Sequence, residues 1–304
     1  MNASEASITR DKPQARPSMN PVTRELSLMW AFISGDLSTA IIPALLFTLA
    51  AWKTAGADPA RLPVVLGRSL LYFVLYLYSF CLTNQATGIE EDRRNKPHRP
   101  LVTGAVSLRG AWQRWVVVMV MLTLAGAWLG VLEYALGWQL IIVAHNVVRG
   151  ARSWIVKNLA NSLGLVVQLA AAWQMVTPLT PAAWRWIGVL AVIMFPLISV
   201  QDLRDMDGDR ASNRRTLPLV LGERATRILL TVGFALAPLV IHFALMRPAG
   251  ARWSVWATDA VLGAVSLWVG ARVAWHHTSR EDHRTYMLFT YWYCLLLIAT
   301  IVVL

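Results

Sequence analysis

The chain has 304 residues, 56% of them hydrophobic and 15% charged, with a mean hydropathy of +0.49 and a net charge of +11. Soluble domains average about 45–50% apolar and about 25% charged residues, so this balance excludes a disordered protein, a disulfide scaffold and an ordinary soluble enzyme. It fits a polytopic membrane protein, in which a positive excess serves topology and anionic headgroups rather than nucleic acid.

Residues 1–27 are polar and hold no apolar run of the kind a signal peptide needs. They are expected to form a mobile cytoplasmic tail. Nine apolar segments follow, at about 28–50, 64–83, 112–131, 133–148, 159–176, 184–201, 227–246, 256–275 and 285–304. Each approaches the roughly 20 residues of a membrane-spanning helix, and together they predict a single all-α transmembrane domain over 28–304. Cys81 and Cys294 both lie inside apolar runs and read as packing residues. With the N-terminus inside, the polar segments on the inner face carry 20 Lys and Arg and those on the outer face carry 4. That asymmetry obeys the positive-inside rule and supports the nine-span count.

Seven of the 17 acidic residues sit in two short motifs, 84–92 and 202–210, at the start of the loops 84–111 and 202–227. Four spans separate the loops, so both emerge on the cytoplasmic side. In the second, Asp202, Asp205 and Asp209 follow i, i+3, i+7 and share one face if span 6 continues as a helix. In the first, Asn84, Gly88 and Asp92 follow i, i+4, i+8, with Glu91 at i+7 close by and Glu90 in the same cluster. Stacked carboxylates call for a cation, and an all-oxygen set favours Mg²⁺ or Ca²⁺ over zinc. The interleaved Arg93, Arg94, Lys96, Arg99, Arg204, Arg210, Arg214 and Arg215 suit phosphate oxygens. Acids and bases flanking metal are what a diphosphate needs.

At these residues the chain resembles the UbiA superfamily of intramembrane prenyltransferases. The first motif runs from Asn84 to Asp92 and trails into Asn95-Lys96-Pro97-His98-Arg99-Pro100. The second runs from Asp202 to Arg210 and ends in Thr216-Leu217-Pro218. The resemblance covers the chain after the tail. It implies nine transmembrane helices around a central cavity, with Asn84, Asp92, Asp202, Asp205 and Asp209, and Glu91 beside them, holding Mg²⁺ and a prenyl diphosphate. Lys157 and Asn161 match positions where the family often places a Lys and an Asn facing the cavity, although a nearby Tyr is Trp154 here. The family's first motif usually has Asp after the Asn and again four residues on; those places are Gln85 and Gly88. Such variant motifs look like those of UbiA-type terpene cyclases, which need no aromatic acceptor.

The expected reaction ionises the prenyl diphosphate at the cytoplasmic mouth and closes the allylic cation on its own double bonds in an apolar chamber. Tyr72, Tyr76, Tyr78, Trp173, Tyr291, Trp292 and Tyr293 are candidates to face that cation. His98, inside the first motif, is a candidate to touch diphosphate, whereas His276, His277 and His283 read as a solvated loop. Transfer of the prenyl group to a small aromatic acceptor is the alternative. A CDP-alcohol phosphotransferase would need an Arg and a downstream Asp motif absent after Asp207-Gly208. A transporter would use acids within the spans, where Asp36, Glu133 and Asp259 stand with His145 and His242. Asp36 reads as facing the cavity or, better, as the cap of a helix break near Ser34-Gly35.

Overall fold

The computed structural model describes residues 20–304. All named elements among them are helical. They are α1 (Pro21–Ile33), α2 (Ile41–Thr54), α3 (Leu62–Thr87), α4 (Ile89–Asn95), α5 (Leu108–Trp128), α6 (Leu132–Ile142), α7 (Trp154–Gln174), α8 (Pro181–Leu197), α9 (Val200–Ala211), α10 (Leu217–Leu221), α11 (Glu223–Ile241), α12 (Trp253–Trp275) and α13 (Ser279–Val303). Local chemistry sets several starts. Asn20 accepts from the Val22 amide with Pro21 in the first turn, and Thr180 accepts from Ala183 with Pro181 next. Ser107 and Thr278 cap α5 and α13 in the same way. The Asn20 cap starts α1 at Pro21, so residues 21–27, expected in the tail, are helical, and Glu25 pairs with Arg114 of α5 at 2.5 Å. Residues 1–19 of that tail lie outside the described residues.

The long helices form a ring. α2 packs on α3, α3 on α5, α5 on α6, α6 on α7, α7 on α8, α8 on α11, α11 on α12, and α12 on α13, which returns to α2. Outward faces are apolar: Val116, Val117, Val120 and Leu124 on α5, and Val232, Leu236, Leu239 and Val240 on α11, are exposed. So large an apolar surface belongs against lipid. Among the described residues, six helices are long and apolar enough to cross a membrane, or up to eight if each of two bent pairs is one span. Every expected segment falls on a helix of this ring, but the count of nine is not reached. The shortfall is at 133–148, where α6 has 11 residues before a five-residue π-helical turn, Val143–Val147.

Both bends serve the interior. α1 and α2 meet at 80° around a 3₁₀ turn at Ser34–Asp36. The freed backbone is satisfied internally: Thr39 Oγ1 donates to the Asp36 carbonyl at 2.8 Å, and Gln168 Nε2 of α7 donates to the Ala40 carbonyl at 2.6 Å. Irregular backbone at membrane depth survives only with such partners or beside a cavity. α8 and α9 meet at 44°, next to Pro196, which removes a helical N–H. This bend turns the polar α9 across the end of the ring, where it packs on α4 and α13.

Candidate active site

The ring encloses a cavity of about 220 Å³, and both acidic motifs open onto it. α9 is a regular helix, so Asp202, Asp205 and Asp209 recur on one side and all three line the cavity. The first motif is interrupted. Gly88 ends α3 with φ −110° and ψ 20°, and α4 begins at Ile89. Asn84 on the last turn of α3 and Glu91 on α4 reach the cavity. A Cβ built on Gly88 would lie 3.7 Å from Glu91 Oε2. The Glu91 carboxylate therefore occupies the space beside position 88, where no side chain competes.

The two motifs are locked together. A Cβ on Gly208 would fall 2.1 Å from Asn95 Nδ2, far inside van der Waals contact. A side chain there would have to displace the Asn95 amide, which in this structure lies over Gly208 and donates to the Asp205 carbonyl at 3.5 Å.

Every carboxylate at the mouth has a cationic neighbour. Asp202 pairs with Lys157 of α7, both buried. Arg214 Nη2 contacts Glu91 at 2.6 Å while its Nη1 lies 3.6 Å from Asp209, so one guanidinium bridges the motifs. Arg204 Nε meets Asp205 at 3.3 Å, and its guanidinium carbon sits 4.0 Å from the Tyr286 ring centroid. Burial pushes the Glu91 carboxyl above the usual glutamate range, against the pull of Arg214 and Lys96. Among the described residues no three His, Cys, Asp or Glu side chains converge into a ready-made metal cage. Asp202 Oδ2 and Asp209 Oδ2 are nevertheless buried without a hydrogen-bond partner. Two orphaned oxygens in an all-oxygen donor set fit Mg²⁺, which takes one or two carboxylates and completes its shell with water and phosphate.

Below the mouth the lining becomes aromatic. Tyr76 stacks on Trp138 with centroids 4.1 Å apart, and Trp138 is followed by Phe80 at 5.5 Å and Phe80 by His145 at 5.4 Å. Phe289 and Tyr293 of α13 face them across the cavity. The stack is fixed by two hydrogen bonds, Tyr76 Oη to the Gly164 carbonyl at 2.8 Å and Trp138 Nε1 to the Tyr76 carbonyl at 2.9 Å. The arrangement thus joins a mouth of paired acids and bases to a chamber lined with aromatic rings.

The profile of the UbiA prenyltransferase family matches residues 28–295. The chain belongs to that family. It is 48% identical over 280 residues to the Somaliensene A/B synthase of Streptomyces somaliensis, covering 92% of this chain and 94% of that one. It is 35% identical over 289 residues to the Diterpene cyclase eriG of Hericium erinaceus, covering 91% and 88%. In fold it resembles a UbiA homolog from Archaeoglobus fulgidus bound to GPP and Mg²⁺, with a TM-score of 0.67 at 14% identity over 90% of this chain and 99% of that one.

The residues expected from the UbiA resemblance separate into two groups. Asn84, Glu91, Lys96, Arg99, Lys157, Asn161, Asp202, Arg204, Asp205 and Asp209 line the cavity. Asp92, Glu90, Arg93, Arg210 and Arg215 do not. Asp92, expected as a metal ligand, is turned away, and both its oxygens accept from Arg99 Nη1 at 2.8 Å. The reason is the break at Gly88: α4 restarts at Ile89, and on it Glu91 faces the cavity while Asp92 turns to Arg99. Burial pushes the Asp92 carboxyl upward, opposed by Arg99. Glu90 and Arg93 pair with each other at 2.7 Å on the exposed side of α4, and exposed Arg210 faces Asp207 at 3.4 Å. Arg215 contributes its backbone, bridging to Ser153 and donating to the Arg152 carbonyl at 2.7 Å.

Other expectations shift as well. Of the seven aromatic candidates only Tyr76 and Tyr293 line the cavity. Tyr72, Tyr78, Trp173 and Trp292 are buried in packing, and Tyr291 is exposed. His98 is exposed and lies off the cavity, whereas His283 meets Arg204 Nη1 at 3.0 Å rather than solvent alone. Asp36 both occupies the helix break and lines the cavity, 3.9 Å from Arg99 Nη2. The other acids in the spans are paired elsewhere, Asp259 with His242 at 2.6 Å and Glu133 with Gln174 at 2.7 Å. Phe80, Trp138, His145 and Tyr286 were not singled out for the site by sequence. Trp138 and His145 lie seven apart in one apolar run, a one-face spacing that marks both.

Proposed function

We propose that this protein is a Mg²⁺-dependent membrane enzyme that ionises a prenyl diphosphate and cyclises the resulting cation to a terpene. The observation that carries this reading is a single cavity with opposed ends: paired acids and bases at the mouth, and a hydrogen-bonded aromatic wall beneath. The sequence likeness to the Somaliensene A/B synthase and to the Diterpene cyclase eriG supports the same choice. Asn84, Glu91, Asp202, Asp205 and Asp209 are the residues that would hold Mg²⁺, which when bound neutralises charge on the leaving diphosphate.

The protein's own side chains do the rest. Lys96, Arg99, Arg204 and Arg214 meet phosphate oxygens and stabilise the charge that develops as the C–O bond breaks. Lys157 holds Asp202 in place and is itself a donor at the cavity wall, beside Asn161. The chamber excludes water from the allylic cation. Tyr76, Phe80, Trp138, Phe289 and Tyr293 present ring faces to it, each contributing about 0.5–2 kcal/mol. Folding the chain against this wall brings its own double bonds to the cationic carbon. The positive-inside distribution of Lys and Arg supports a cytoplasmic mouth on a single transmembrane unit.

The test is product analysis of purified protein incubated with prenyl diphosphates of different lengths and Mg²⁺, without acceptor. A cyclic hydrocarbon or alcohol is expected. Absence of any cyclic product, with alkylation once a small aromatic is added, would replace cyclisation with prenyl transfer.

A further inference from the structure

The aromatic wall ends at a histidine whose state the surrounding hydrogen bonds determine. His145 is buried, at 5% exposure, and lines the cavity next to Phe80. It sits in the π-helical turn Val143–Val147. In an α-helix neighbouring side chains diverge by about 100°; the wider turn lets His145 and Asn146 both point inward and both be buried. π-helical turns of this kind are frequent at functional sites.

A chain of donors fixes the ring. Thr83 Oγ1 donates its single proton to backbone, with the Phe80 carbonyl at 3.1 Å and the Ser79 carbonyl at 3.3 Å. It can then only accept from Asn146, whose Nδ2 lies 2.8 Å away. That turns Asn146 Oδ1 toward His145 Nδ1, at 2.7 Å, and toward Asn84 Nδ2, at 3.4 Å. An amide oxygen only accepts, so His145 Nδ1 carries the hydrogen. In the neutral ring Nε2 is then a bare lone pair, and it has no hydrogen-bond partner. The mouth carboxylates Glu91, Asp202, Asp205 and Asp209 each face a cation. His145 lines the same cavity, and its Nε2 is an acceptor with neither a hydrogen bond nor an ion pair.

We propose that His145 is the general base that ends the reaction, with Asn146 as its positioning residue. This rests on the cyclisation reading above. A C–H bond next to the final cationic carbon breaks, its electron pair forms the new C=C bond, and the proton goes to His145 Nε2. The imidazolium then passes the proton to released pyrophosphate or water.

The experiment compares wild type, His145→Gln, Asn146→Leu and Asn146→Asp, measuring pyrophosphate release and the product mixture together, with thermal transitions in the same detergent. In His145→Gln pyrophosphate is still released, but the share of the wild-type olefin falls at least about tenfold in favour of other double-bond positions or captured water. Asn146→Leu shifts the mixture the same way, and Asn146→Asp, which keeps an accepting oxygen, restores it. An unaltered mixture in folded His145→Gln overturns the proposal, as does folded His145→Gln that releases no pyrophosphate. If His145→Gln does not fold, an unaltered mixture in Asn146→Leu overturns it. Wild-type protein that forms no cyclic product of any kind without acceptor removes the cyclisation reading first, whereas a wild-type product that is a cyclic alcohol alone overturns the base proposal and leaves cyclisation standing.

Discussion

The two acidic motifs look alike in sequence and behave differently in space. In α9 an unbroken helix keeps Asp202, Asp205 and Asp209 in phase, and all three meet the cavity. At the first motif Gly88 ends α3 and α4 restarts one residue later, so Glu91 faces the cavity and Asp92 is buried against Arg99. A carboxylate spaced for the site can thus serve the scaffold instead. The difference is a matter of partners: the α9 carboxylates keep orphaned oxygens at Asp202 and Asp209, whereas both oxygens of Asp92 are taken by one guanidinium.

Substitutions sharpen that contrast, beginning with the largest effect. Asp209→Asn is expected to lower pyrophosphate release by at least about 100-fold, with the thermal transition retained. Retention of turnover in this variant would dissociate α9 from the chemistry. Asp92→Ala acts through the fold. It strands a buried arginine, which costs about 3–5 kcal/mol and should appear first as a lowered Tm in detergent. If Asp92→Ala kept its Tm and lost all turnover, Asp92 would belong to the site after all. Gly208→Ala displaces the Asn95 amide from the Asp205 carbonyl, at a cost of about 0.5–1.5 kcal/mol, and loosens the contact between the motifs. Its expected signature is weaker substrate binding alongside lower stability, measured as KM and Tm. Glu90→Ala and Arg93→Ala remove an exposed pair. Turnover is expected to stay within about twofold of wild type, as for other surface ion pairs.

The sequence made much of this legible because membrane helices advertise themselves. Apolar length located every helix of the ring, and charge asymmetry placed both acidic loops on one side. The regular periodicity of α9 located its three aspartates. What stayed hidden depended on breaks in that periodicity. The Gly88 interruption decided between Glu91 and Asp92, and the 80° bend at Ser34–Asp36 let Asp36 take both of the places the sequence offered as alternatives, at the break and on the cavity wall. α6 fell short of a span because its helix passes into the Val143–Val147 π-turn, which also turns His145 inward. Exposed Glu90, Arg93 and Arg210 carry the right charge in the right loops, but only tertiary packing shows which face of each short helix is covered. The aromatic lining had the same difficulty, since Tyr72 and Tyr76 are one turn apart and only Tyr76 reaches the cavity.

The most direct test of the account is pyrophosphate release and product formation by wild type and Asp205→Ala, measured side by side with farnesyl or geranylgeranyl diphosphate, Mg²⁺ and no acceptor. The account predicts pyrophosphate and a cyclic terpene from wild type, and neither from Asp205→Ala, in two proteins of equal Tm. Pyrophosphate release that appears only when an acceptor is supplied, or equal product from both proteins, would contradict it.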